Sequence, residues 1–171
     1  MNIFKKKTVI CLLCIILLVC FTACVKNEES VETPGGMMGV VNPMQAFSVE
    51  EFETETGFAV DMPADDFSDL AVFKYNFEQP LYQFGFIYTD GNEYTFRIQK
   101  TEDIADISGM YFEWEQQSEY ADCRVSTAEA GQGICLWYDG EYTYCISMDA
   151  NAEETMLVSM QQLLISAFMA Q

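Results

Sequence analysis

The chain has 171 residues, half of them apolar and 14% aromatic, with 7 cysteines and no histidine. That composition excludes a disordered polymer and suits one ordinary packed domain, while the missing histidine excludes Ser-His or Cys-His catalysis and imidazole zinc sites. Acidic residues outnumber basic ones 27 to 8; such a surface repels a phosphate backbone, which argues against nucleic acid as a partner.

In chain order, residues 1–23 read as a secretory signal: Lys5, Lys6 and Lys7, then an apolar stretch from Thr8 to Ala23. Sixteen residues at about 1.5 Å each span roughly 24 Å as a helix, short of the ~30 Å hydrocarbon core. The run Phe21-Thr22-Ala23-Cys24 resembles the lipobox of bacterial lipoproteins, with Phe21 where leucine is usual. The resemblance implies a diacylglyceryl group on the Cys24 thiol, cleavage before it and acylation of its amine. Cys11, Cys14 and Cys20 lack the preceding small residue. The alternatives are an uncleaved signal anchor, in which Cys24 is incidental, and ordinary secretory cleavage. Under all three the lysines stay inside and the domain lies outside. Two or more acyl chains, at ~0.8 kcal/mol per buried methylene, would make the membrane a lasting partner.

Residues 24–46 form the lipidated cysteine and a tether without apolar periodicity, with a reach of about 25 Å. One domain is expected over 47–171. Ser48 and Glu51 make a capping box, Phe47 can staple onto Phe52, and Gly57 closes a short helix over Val49–Thr56. A brief strand follows from Phe58, ended by Pro63.

Strand signals then dominate: Leu70–Phe77, Leu81–Tyr88 and Tyr94–Lys100. The last two flank Asp90-Gly91 as a hairpin. A three-residue loop, Thr89–Gly91 with a bulge at the glycine, sets Phe84 opposite Phe96 and Phe86 opposite Tyr94, gathering the rings on one face. Asp103–Gly109 suggests a helical turn. Met110–Gln116 alternates as a strand with Trp114 on one face and Glu113 and Glu115 on the other. A strand around Cys123–Thr127 and a hairpin of Ile134–Tyr138 with Glu141–Met148 about Asp139-Gly140 come next. A final helix is capped by Asn151 and carries Leu157, Met160, Leu164, Ala167 and Phe168 as its apolar stripe. The expected class is α+β: an antiparallel sheet of hairpins with a short N-terminal helix and a C-terminal amphipathic helix on one face.

Cys123, Cys135 and Cys145 remain past the lipid site. Cys135 and Cys145 fall on opposite faces with a two-residue Asp139-Gly140 loop and are diagonal, ~7–8 Å apart, with a three-residue loop. A Cys123–Cys135 disulfide is the easier pairing; three buried thiols are the alternative.

The runs Asp106–Trp114 and Gly133–Gly140 resemble uncharacterised exported and lipoprotein domains of bacteria, chiefly Gram-positive. More distantly they are similar to a domain of unknown function at the C-termini of anchored and anti-sigma-like proteins. The resemblance covers about Phe47 to Gln171 and implies a displayed sheet-plus-helix module. It carries no catalytic residue.

Glu113 and Glu115 beside Trp114 raise carboxylate-dependent glycan hydrolysis, which needs no histidine. Asp61, Asp65, Asp66 and Asp69 raise calcium, but their spacing departs from the EF-hand loop. No cofactor or metal site is expected. Trp114, Trp137, Tyr142 and Tyr144 are the candidate ligand surface; in the two-residue register the last three share a face with Cys135, where they either fill the core under the C-terminal helix or line a groove beside it. The reading is a lipid-anchored extracytoplasmic module that binds an unknown protein or small molecule without catalysis.

Overall fold

The computed structural model describes residues 43–170, and side chains as far as Phe168. The expected signal segment, Cys24 and the expected tether up to residue 42 lie outside the described residues.

Twelve elements follow one another: β1 (Met44–Phe47), α1 (Val49–Thr56), β2 (Phe58–Val60), β3 (Phe67–Tyr75), β4 (Leu81–Tyr88), β5 (Glu93–Lys100), β6 (Gln116–Glu119), β7 (Arg124–Thr127), β8 (Gly133–Tyr138), β9 (Tyr142–Met148), α2 (Glu154–Ala167) and β10 (Phe168–Ala170). Eight strands form one antiparallel sheet in the order β1-β3-β4-β5-β9-β8-β7-β6, and β10 pairs antiparallel with β2. The fold is α+β, as the pattern of hairpins followed by a helix requires. Strand structure begins at Met44, three residues before the expected domain start.

Helix α1 has the expected ends. Ser48 Oγ accepts from Glu51 N–H at 3.1 Å and Glu51 Oε2 accepts from Ser48 N–H at 2.8 Å. Gly57 closes the helix in the left-handed region, donating its N–H to Glu53 O. Phe47 lies 6.0 Å from the Tyr82 ring, and Tyr82 meets Phe52 edge-on at 5.0 Å.

Hairpin β4–β5 takes the expected register, Phe84 opposite Phe96 and Phe86 opposite Tyr94. Gly91 donates its N–H to Tyr88 O across the three-residue loop. Strand β3 starts three residues before the alternation suggests, because an extra residue sits between Ser68 and Ala71, where Asp69 has a φ of 53°. That bulge turns Phe67 and Val72, five residues apart, to the same buried face.

Three expectations are corrected here. Asp103–Gly109 is not a helical turn, and Met110–Glu115 is not a strand; the backbone is irregular until β6. Arg97 holds this segment instead, donating to the carbonyls of Ile107 and Ser108 and, at 2.9 Å, to Gln83 Oε1. Hairpin β8–β9 turns at Gly140-Glu141, one step beyond Asp139-Gly140, so Trp137 faces Tyr144 and Cys135 faces Ile146. Gly140 has a φ of 103°, and glycine at the first turn position is what a two-residue hairpin with this hand needs. Relative to the two-residue reading the shift is two residues of register, so every side chain keeps the face of that reading, and the three-residue loop is not taken.

Asn151 does not cap α2. It lies outside the helix with a φ of 55°, and Glu153 is the N-cap without a side-chain bond. Docking on the preceding turn sets the helix start: Ala152 N–H donates to Gly131 O at 2.8 Å. A Cβ at Gly133 would meet Ala152 Cβ at 2.6 Å, so only glycine admits this approach. The helix also stops at Ala167, and the chain continues as strand β10 rather than as helix.

The main core lies between one sheet face and both helices, where Phe52, Phe84, Phe86, Tyr94, Phe96, Ile146, Leu157 and Leu164 are sealed from solvent. A smaller cluster on the other face gathers Leu81, Ile107, Ile134, Leu136 and Cys145, with Met110 and Trp114 packed against it.

Candidate functional site

Strand alternation sets the floor of the site. On β8 and β9, Trp137 and Tyr144 point to the main-core face, and on β5 Phe96 does the same. Their ring planes are nearly parallel: Trp137–Tyr144 at 5.2 Å and 9°, Phe96–Trp137 at 5.8 Å and 12°. Phe168, at the join of α2 and β10, meets Phe96 edge-on at 4.8 Å. Helix α2 forms the opposite wall with Gln161, Leu164 and Ile165. Between helix and sheet a cleft of about 260 Å³ remains, with Asp122, Tyr138 and Asp139 completing its lining. Leu164 is sealed and Gln161 is 1% exposed, whereas Ile165 is 45% exposed and marks the mouth.

Gln161 is the unusual member. It falls on the buried stripe of α2 between Leu157 and Leu164, and neither Nε2 nor Oε1 has a hydrogen-bond partner among the described residues. Buried amides are almost always paired, since leaving one dry costs about 1–3 kcal/mol.

The rim is electrostatically negative. Asp139 Oδ2 accepts from Tyr144 Oη at 2.6 Å, and Oδ1 accepts from Tyr142 N–H at 2.8 Å and Glu141 N–H at 2.9 Å. Desolvation pushes the Asp139 carboxyl up, but these three bonds outweigh it and hold the group below its ordinary range. Burial, then the bond to Asp139, pushes the Tyr144 phenol well above its usual value. The four basic residues of the described part are engaged elsewhere: Lys74 with Glu55, Lys100 with Glu141, Arg124 with Glu119, and Arg97 with the carbonyls already named.

Of the four expected aromatic residues, Trp137 and Tyr144 line the cleft. Tyr142 shares their face but is half-buried outside it, edge-on to Phe58 at 5.2 Å. Trp114 is a correction: it lies against the cluster on the other sheet face. The even spacing that suggests a strand there is not matched by any ladder pairing before Gln116. Glu113 and Glu115 are exposed in that segment, as are Tyr111 and Phe112. Asp61, Asp65, Asp66 and Asp69 are exposed, and no group of three or more acidic or cysteine side chains among the described residues could hold a metal ion.

The Cys123–Cys135 bond is not formed. Cys123, Cys135 and Cys145 are free, buried thiols. Cys123 and Cys135 are side-chain neighbours, while Cys145 lies across the sheet. Burial pushes the Cys135 and Cys145 thiols far above their usual range.

The sequence reading missed Gln161, Asp122, Asp139, Phe96 and Ile165 as site residues. Gln161 carried a readable signal, an uncharged amide four residues from Leu157 on an apolar stripe. The rest required knowing which hairpin packs under α2. No protein-family model, curated protein sequence or solved structure matches the chain.

Proposed function

We propose that this chain is an extracytoplasmic protein, held to the membrane by acyl groups on Cys24, whose domain binds a ligand without catalysis in the cleft between α2 and hairpin β8–β9. One observation carries the binding reading: a cleft of about 260 Å³, walled by Phe96, Trp137, Tyr144 and Phe168, that contains a buried amide with no partner among the described residues. Concave, mostly apolar sites with a few converging polar groups are where small ligands bind. The anchor rests on the lysine run, the apolar segment and the lipobox-like residues.

No observation favours the hydrolase or the calcium module. Glu113 and Glu115 are exposed and neither lines the cleft.

The test fills the mouth. Ile165 is exposed, so Ile165→Trp leaves the core intact. Compounds that raise the melting temperature of the full chain are expected to lose that effect in Ile165→Trp. A broad panel without any shift, or shifts that survive the variant, rejects the cleft. Separately, Cys24→Ala is expected to move the protein from the membrane fraction to the soluble fraction, and its retention rejects the anchor.

A further inference from the structure

We propose that the cleft takes a small planar ligand whose edge presents a hydrogen-bond donor beside an acceptor, as a carboxamide does, and whose net charge is zero or positive. The inference rests on the cleft being the binding site.

The Gln161 amide presents a donor, Nε2, next to an acceptor, Oε1, and both are buried without a partner among the described residues. A ligand that satisfies the two together needs the reverse pair. A carboxamide offers it in one plane. A carboxylate offers acceptors only and would set one against Oε1, and an ammonium offers donors only.

Charge narrows the class further. Asp122 and Asp139 lie at the cleft, and Asp139 is held in its ionised form by three hydrogen bonds. Each basic side chain of the described part is committed to another group. An anion would therefore meet two carboxylates in a lining that holds no basic side chain, while a cation would be drawn in. Arg124 lies in the neighbouring groove and is paired with Glu119.

Size and shape set the body. The volume of about 260 Å³ holds roughly nine water volumes at ~30 Å³ each. That is room for one ring with its amide, not for an oligosaccharide or a peptide. The near-parallel planes of Phe96, Trp137 and Tyr144 offer apolar, aromatic walls to such a ring.

The experiment titrates the full chain calorimetrically with three probes that share one ring: benzamide, 3-(aminomethyl)benzamide and benzoate. Both amides are expected to bind, the cationic one more tightly at low salt, and benzoate to be roughly tenfold weaker or worse. Gln161→Leu and the volume-matched Gln161→Met are expected to abolish the preference for amide over carboxylate. Both variants should melt higher than the parent, which shows that they fold, because an apolar side chain replaces an unpaired buried amide. Benzoate binding as tightly as benzamide, or a preference that survives both variants, overturns the ligand class; loss of that binding in Ile165→Trp would then show that the cleft stands as a site of another kind. Binding by none of the three probes overturns the inference as well. The broader panel against Ile165→Trp then decides the cleft by itself.

Discussion

Two aspartates in hairpin turns do the same job in this molecule. Asp90 Oδ2 accepts from Tyr94 Oη, and Asp139 Oδ2 accepts from Tyr144 Oη, each at 2.6 Å. Each carboxylate thus ties a turn to a core ring of the following strand. Removing the phenol in Tyr144→Phe should cost about 1 kcal/mol, the low end for a charged acceptor because Asp139 is itself exposed to water. Chemical denaturation checks this; a loss under ~0.3 kcal/mol would mean that the bond adds nothing. Partial burial pushes both carboxyls up, yet their hydrogen bonds hold them below the ordinary range. A depressed carboxyl adds stability that is complete above its unfolded value of about 3.9 and is lost as pH falls through the folded one. The domain should therefore weaken below about pH 4, and Asp139→Asn should flatten that limb of the stability–pH curve. The opposite limb follows from burial. Tyr82, Tyr94 and Tyr144 are pushed up, so stability should fall above about pH 10, where only the unfolded phenols ionise freely.

At the scale of elements, local chemistry and long-range contacts divide the work. Helix α1 is closed at both ends by its own residues, so Ser48→Ala should cost about 1 kcal/mol and fray the first turn. Thermal or urea unfolding measures it, and an unchanged midpoint would show that packing of Phe52 alone holds the helix. Helix α2 has no side-chain cap and relies on the Ala152–Gly131 bond and on Gly133 beneath it. The segment from Asp103 to Glu115 is held by Arg97 at Ile107 and Ser108, by Thr143 Oγ1 at Asp103 and Ala105, and by Thr127 O at Glu115. Arg97→Leu should release the Ile107 and Ser108 carbonyls, and hydrogen exchange should rise around residues 106–110 while β4 and β5 stay protected. Exchange confined to its parental level would show that Ile107 and Trp114 anchor the segment without the guanidinium. The elements most legible in the residues are those with local signals: α1 from its capping box, and β4–β5 from Asp90-Gly91 and the gathering of rings on one face. Met110–Glu115 departs from the expected strand because its alternation only imitates one, while ladder pairing with β7 begins at Gln116.

For the molecule as a whole, the α+β class and the antiparallel sheet with helices on one face were legible because alternation and helical stripes are properties of the chain alone; the second cluster on the other face was not. The faces in β8 and β9 agree with the two-residue loop, since a shift of two positions preserves them, but the residues left a three-residue loop open as well. The anchor proposed at Cys24 rests on the residues alone and lies outside the described residues. The cleft was not legible. It exists because α2 is set by the turn at Gly131–Gly133 and leaves space over Trp137 and Tyr144, and because the chain leaves the helix at Ala167 to pair as β10 with β2. Periodicity states which residues are buried; it does not state how closely two buried surfaces meet. Whether Gln161 finds a partner depends on atoms brought from β8, β9 and α2 together, and only the packed structure determines that.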